Sequence, residues 1–154
     1  MGQVLAESGT YSDVYMFSHR LSATRSEFVR IVAGQNELML TPNHYLYVNG
    51  KLAVASTVKV GDKVKGKDGA ALTVTSVSST WAEGLYNPHT LNGDIVVNGI
   101  QTSTYTSDVA PSLAHAVLWP VRMLYSLGHS VVGHTFDAGS ELIAQVMPDG
   151  KARY

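Results

Sequence analysis

Thr41 and His44 stand three positions apart in the run Leu40-Thr41-Pro42-Asn43-His44-Tyr45-Leu46-Tyr47-Val48. In a straight strand, side chains at this spacing point to opposite faces. They converge only if the chain turns, and the residues between them favour a turn. Pro42 presets φ at the second position of a β-turn and Asn43 suits the third. Such a turn brings its first and last Cα atoms within ~7 Å. A threonine hydroxyl and an imidazole could then face one small target. The hydroxyl can hold a polar group by hydrogen bonding, and the histidine can protonate a leaving nitrogen near neutral pH. That pair suits attack on an amide. By itself the tetrapeptide reads more readily as a structural turn whose Thr41 and His44 cap backbone groups.

The remaining chemistry-bearing residues are sparse. The chain has no cysteine, which excludes disulfides, thiolate metal sites and a cysteine nucleophile within it. Of its 6 histidines, His129 and His134 lie five apart around Gly133, and His115 falls on an expected helix. No pair has a spacing that fixes a metal on one helical face, and no carboxylate motif joins them. The expectation is no metal and no cofactor, with His115 a satisfied core or helix histidine. Asp62, in Gly61-Asp62-Lys63-Val64, reads as a loop-closing residue.

The elements that must position the turn read mostly as short strands. Residues 13–19 and 27–32 form two apolar or alternating runs. Residues 37–40 lead into the turn and residues 45–48 lead out of it. Asn49-Gly50 has the composition of a type I′ hairpin turn, and Asn98-Gly99 repeats it after residues 94–97. Residues 52–54 and 71–77 supply further strands. Short strands at regular intervals predict an all-β domain. A weak repeat adds to this. Residues 4–19 shifted by 60 fall on residues 64–79 without a gap, matching Val4 to Val64, Gly9 to Gly69, Val14 to Val74 and Ser18 to Ser78. The repeat suits either two ordinary hairpins or a duplicated β-subdomain.

The last third changes character. Ser107 or Asp108 caps an expected helix with an early Pro111. Apolar residues then recur at helical spacing, and Pro120 predicts two short helices or one kinked helix. Trp81, Trp119, Met123 and Tyr125 are expected to pack in the core around those helices. A short helix near residues 141–146 is expected in the tail.

Composition sets outer bounds. A chain of 154 residues makes one domain that buries about 68–70% of its unfolded surface. Hydrophobic residues make up 45% and charged residues 15%, with a net charge of −1. This is globular rather than disordered composition. It offers no basic surface for nucleic acid or anionic lipid. No apolar run reaches the ~20 residues of a membrane-spanning helix. The N-terminus carries neither a signal-peptide pattern nor a myristoylation motif.

Five segments, in order, resemble the autoprocessing (Hint) domain of Hedgehog proteins and their Hog relatives. They are residues 11–20 (YSDVYMFSHR), 40–48 (LTPNHYLYV), 53–56 with 60–64 (AVAS, VGDKV), 86–100 (YNPHTLNGDIVVNGI) and 112–122 (SLAHAVLWPVR). The resemblance spans about residues 4–127. It implies an all-β, pseudo-two-fold disc like the splicing domains of inteins, with short C-terminal helices here. It also implies a self-cleaving activity. A leading cysteine attacks the preceding carbonyl, and the upstream segment then passes to a second nucleophile, a sterol hydroxyl in animal Hedgehogs. Thr41 and His44 would flank the scissile amide. The partners implied are the upstream polypeptide and a sterol, another small nucleophile or water. A secretory or extracellular setting follows from the same resemblance.

The departures from the family pattern bear on activity. The opening segment with its nucleophilic cysteine is absent, so the chain is expected to be N-terminally truncated and inactive as given. Residues 1–127 would be the Hint/Hog-like domain without its first strands, and 128–154 a tail. An unpaired sheet edge, lower stability or dimerisation would follow from a missing strand. Thr104 stands where the family has a cysteine before the tyrosine of the late strand, here Tyr105. His19 occupies the position of the aspartate that assists sterol activation, where an imidazole could serve as a base. His89 falls on a leucine position of many relatives and is expected at the surface. Sterol recruitment is not expected from the short, weakly apolar tail. The alternative function is a non-catalytic β-module that keeps the fold for binding or structure.

Overall fold

Asn49-Gly50 and Asn98-Gly99 each close a two-residue hairpin. Both asparagines and both glycines have positive φ, 51° and 77° in the first turn, 47° and 80° in the second. Positive φ at both central residues is the type I′ geometry, whose twist matches that of the strands it joins. The computed structural model describes residues 2–107, 118–126 and 152–153. In chain order these form β1 (Gln3–Leu5), a 3-10 turn (Glu7–Gly9), β2 (Tyr11–Ala33), β3 (Asn36–Leu40), β4 (His44–Val48) and β5 (Lys51–Val54). A second 3-10 turn (Ala55–Thr57), β6 (Lys63–Lys65), β7 (Ala71–Thr90), β8 (Asp94–Val97), β9 (Ile100–Thr106), α1 (Trp119–Ser126) and β10 (Ala152–Arg153) follow.

The strands make one sheet in the order β1-β2-β7-β6-β4-β9-β8, with β3 and β10 added to β2 and β5 added to β4. β8 returns to lie against β1 and the turn after it. The sheet therefore curls into a nearly closed barrel. This is the all-β domain that the strand pattern predicts and the disc-like architecture that the resemblance implies.

Two strands are much longer than the sequence pattern suggests. Residues 13–19 and 27–32 are not separate strands but parts of β2, which runs for 23 residues. β7 likewise runs for 20 residues beyond its apolar start. The two pair antiparallel along most of their length, with irregularities at Val14/Met16, Phe17/His19, Leu21/Arg25 and Val32/Ala33. Bulges insert extra residues and bend a strand without ending it. At the largest of these, Leu21 faces Leu85 and Arg25 faces Glu83, so three residues of β2 oppose Gly84 alone. Gly84 has φ +92°, a conformation that a side chain would strain. The exposed polar stretch between the two apolar runs thus stays in the sheet.

The repeat at an offset of 60 is a structural duplication. β1 pairs β2 as Gln3↔Asp13, Val4↔Ser12 and Leu5↔Tyr11. β6 pairs β7 as Lys63↔Thr73, Val64↔Leu72 and Lys65↔Ala71, the same register 60 residues later. The hydrogen bonds follow. Ala6 N–H donates to the Thr10 carbonyl at 2.7 Å, and Gly66 N–H donates to the Ala70 carbonyl at 2.7 Å. Val14 N–H meets the Gly2 carbonyl as Val74 N–H meets that of Asp62. Of the two readings the repeat allows, duplicated subdomain is the one the register supports.

The main core gathers Val29, Ile31, Ala33, Leu38, Leu40, Leu46, Val48, Val64, Val74 and Ile100. Val29, Ile31 and Ala33 lie on the inner face of β2 while Phe28, Arg30 and Val32 are half-buried, the alternation of a strand with one buried face. Each fully buried aliphatic side chain contributes roughly 1.5–3 kcal/mol of transfer free energy. A smaller cluster of Tyr15, Met16, Tyr105 and Leu118 lies at the other end of the sheet.

The aromatic residues expected in the core are partly outside it. Trp81, Trp119 and Met123 are all exposed; Trp81 sits on β7 opposite Glu27 of β2, and the other two on α1. α1 carries Pro120 in its first turn, where a missing N–H costs no intrahelical bond. The Arg122 guanidinium ties α1 to the Leu91 carbonyl. Beyond Ser107, the expected helix start at residues 108–112, His115, and the tail helix near 141–146 lie outside the described residues. Among those described, no helix is long and apolar enough to cross a membrane.

Candidate functional site

The turn before β4 forms as its composition requires. His44 N–H donates to the Thr41 carbonyl at 3.0 Å, the closing bond of a β-turn. Its two central carbonyls are also anchored. Pro42 O accepts from Ser56 N–H at 2.9 Å, and Asn43 O from Ser107 N–H at 2.8 Å. The turn is therefore held from both sides, by the loop after β5 and by the end of β9. The pairing of β4 with β9 is irregular between His44↔Thr106 and Leu46↔Thr102.

This anchored turn places Thr41 and His44 on one cavity of ≈ 170 Å³. Its polar wall includes Asn87, Thr102 and Thr104, and its apolar wall includes Phe28, Met39 and Tyr86. Thr41 is buried. His44 Nε2 lies 2.8 Å from the Ser103 carbonyl oxygen. A carbonyl only accepts, so Nε2 carries a hydrogen and the neutral ring exchanges its second proton at Nδ1. One edge of His44 thus caps a backbone group, as the structural alternative requires, and the same bond fixes the tautomer for chemistry at the other edge. Thr104 hydrogen-bonds the Gly93 carbonyl through both its hydroxyl and its N–H.

His19 is buried and is not among the residues lining this cavity. It pairs with Asn87 across the β2–β7 ladder, so it lies beside a residue that lines the cavity. The Phe17/His19 irregularity explains its orientation. Two consecutive residues, Ser18 and His19, are both buried, which a regular strand does not allow when one face is wet.

Three residues that sequence reasoning did not bring to the site surround His19. Ser18 Oγ accepts from Asn87 Nδ2 at 2.9 Å. It also lies 3.0 Å from His89 Nε2 and 3.3 Å from His19 Nδ1. His89, expected at the surface, is buried. Its ring centroid lies 5.6 Å from that of Tyr105 and 6.5 Å from that of Tyr15. Burial, then the nearby His44 and His19, pull the His89 pKa down to about 3, so the ring is neutral at physiological pH. Asn87 and His89 share a face of β7 by period-two alternation, which was a readable signal. Their meeting with Ser18 was not readable, because it depends on the bulge in β2. Among the described residues, no group of three or more acidic or histidine side chains could hold a metal; His115, His129 and His134 lie outside them.

Comparison with known proteins agrees with this fold. The model of the Hint module matches residues 3–146. Warthog protein 1 of Caenorhabditis elegans is 29% identical over 140 residues, covering 84% of this chain and 29% of its own length. Sonic hedgehog protein of Danio rerio is 31% identical over 130 residues, covering 75% of this chain and 31% of its own. The chain therefore spans about a third or less of the curated relatives it matches. Among solved structures, the gp41-1 intein superposes with a TM-score of 0.58 at 15% identity, covering 66% of this chain and 78% of the intein. A bacterial intein-like domain from Clostridium thermocellum gives 0.57 at 19% identity, with 66% and 80% covered. At such identities these two speak to the fold alone.

Proposed function

Since this chain belongs to the Hint family, we propose that its fold is an autoprocessing scaffold whose Thr41 and His44 act on a peptide bond brought to their cavity. The observation that carries this reading is the anchored turn that puts both side chains on one cavity with the His44 tautomer fixed. The partner is a polypeptide segment upstream of the domain. In the step proposed, the thiolate of a cysteine that leads the domain attacks the preceding carbonyl carbon. The carbon–nitrogen bond breaks, and the departing amine takes from His44 Nδ1 the proton that this nitrogen first drew from the cysteine thiol. Thr41 holds the amide by its hydroxyl. The thioester then passes its acyl group to the oxygen of a sterol, another alcohol or water, and the thiol is regenerated. His19 is proposed to sit beside this second step.

The chain contains no cysteine, so the thiol must be supplied for the chemistry to run. That observation favours a second reading, a non-catalytic β-module that keeps the fold for binding or structure. One experiment separates the two. The domain is extended at its N-terminus with a reporter followed by the cysteine-led opening strands of a matched relative, then incubated with dithiothreitol or hydroxylamine. Thiol-dependent release of the reporter is expected. An intact fusion whose barrel is folded would overturn the catalytic reading and leave the second.

A further inference from the structure

Ser18 is the centre of the buried polar cluster beside the cavity, and its hydroxyl imposes a rule on both histidines. The oxygen has one proton to give and about two lone pairs to receive with. One lone pair is taken by Asn87 Nδ2. Two imidazole nitrogens, His89 Nε2 and His19 Nδ1, compete for what is left. A single proton satisfies only one of them as acceptor. The other must bring its own N–H. The tautomers of His19 and His89 are therefore coupled through Ser18.

Two arrangements satisfy the count. In one, Ser18 donates to His89 Nε2 and accepts from His19 Nδ1–H, which puts both neutral rings in the Nδ1–H form. In the other, His89 Nε2–H donates to Ser18 and Ser18 donates to His19 Nδ1, which puts both rings in the Nε2–H form. The Nε2–H form is the commoner tautomer of a free neutral histidine, so the second arrangement has both rings in their preferred state. His89 Nδ1 is buried without a hydrogen-bond partner. The first arrangement would place an unpartnered N–H there, a kind of orphan rarely found in proteins.

We propose that Ser18, held by Asn87 and His89, is a positioning residue that locks neutral His19 in the Nε2–H tautomer, so that His19 offers a hydrogen-bond donor rather than a basic lone pair at Nε2. This rests on the reading above only for the meaning of His19 in the second acyl transfer. There it makes His19 a group that holds or polarises an oxygen, in place of a base that strips its proton. Among the described residues, the titratable groups near the cluster include His44, and Tyr15 and Tyr105 against His89. Neutral His89 leaves the tautomer pattern undisturbed near neutral pH.

The test is long-range nitrogen–carbon correlation NMR of the histidine rings in the full chain at pH 7.5. His19 is expected to show a pyridine-type Nδ1 and a pyrrole-type Nε2, and His89 a pyrrole-type Nε2. In Ser18→Ala, His19 is expected to move to averaged tautomer shifts, and Ser18→Thr to restore the wild-type pattern. A pyrrole-type Nδ1 on His19 in the wild-type protein would overturn the proposal without any variant. An unchanged His19 pattern in a folded Ser18→Ala protein would do so too. None of these readouts depends on cleavage, so a fusion that fails to cleave would leave the tautomer result standing.

Discussion

His44 on β4 donates Nε2–H to the carbonyl of Ser103 on β9 across 2.8 Å. Residues 59 positions apart are joined at the point where the β4–β9 register slips. The bond sets which nitrogen does chemistry, and it gives the first expectation. In the cleavage-competent fusion, His44→Ala removes the proton donor to the leaving amine. General acid–base catalysis is worth about 10²–10⁴-fold, so reporter release should slow by at least about 100-fold. Release within about threefold of the parent, measured by gel quantitation over time, would remove His44 from the mechanism.

Thr41 contributes a single hydroxyl to the same cavity. Thr41→Val keeps its shape and removes the hydrogen bond to the bound amide. Such a bond is worth about 0.5–1.5 kcal/mol, so cleavage should slow about three- to tenfold. A matched thermal midpoint for the two proteins would assign the loss to the site. A variant as fast as the parent would show that Thr41 serves the turn alone.

The buried neutral His89 makes stability depend on pH. Its folded pKa is pulled down to about 3 from the ordinary 6.5 of a histidine, by burial first and then by His44 and His19. Below about 6.5 the unfolded chain binds a proton that the folded chain refuses. This contribution is fully present above about 6.5 and is lost as pH falls toward about 3. His89→Leu should flatten the fall in thermal midpoint over that window. Scans at pH 7.5, 5.5 and 4.5 would check it, and parallel falls in both proteins would refute it.

The two type I′ hairpins give an internally controlled pair. A Cβ built on Gly50 meets nothing within 4 Å, whereas one on Gly99 would meet Asn36 Oδ1 at 2.9 Å. Both glycines have positive φ, so both alanine variants carry a backbone strain of about 1–2 kcal/mol. Gly99→Ala carries the contact as well and must displace the Asn36 side chain. Chemical denaturation should rank Gly99→Ala as the more destabilised of the two. Equal losses would mean that Asn36 moves aside without cost.

Much of the fold was legible because its signals are local. Asn-Gly pairs fix type I′ turns through two backbone angles. Alternation in residues 28–33 fixes one face of β2. The weak repeat at an offset of 60 matched only Val4, Gly9, Val14 and Ser18 by identity, yet it carries the whole register of β1–β2 onto β6–β7. Strand length was less legible. The polar stretch at residues 20–26 looks like a break, but sheet pairing needs only backbone groups, and bulges absorb the mismatch.

By itself, then, the sequence determined the β class, the duplicated hairpin and the turn that carries Thr41 and His44, since each follows from the chemistry of residues close together in the chain. Only the tertiary structure decided which proton His44 carries, that His89 is buried, and that Ser18, Asn87 and His89 close around His19. Those outcomes depend on carbonyls and bulges supplied by strands far apart in sequence. A bulge reverses the face of the residues after it, and no pattern in one strand records where its partner will slip.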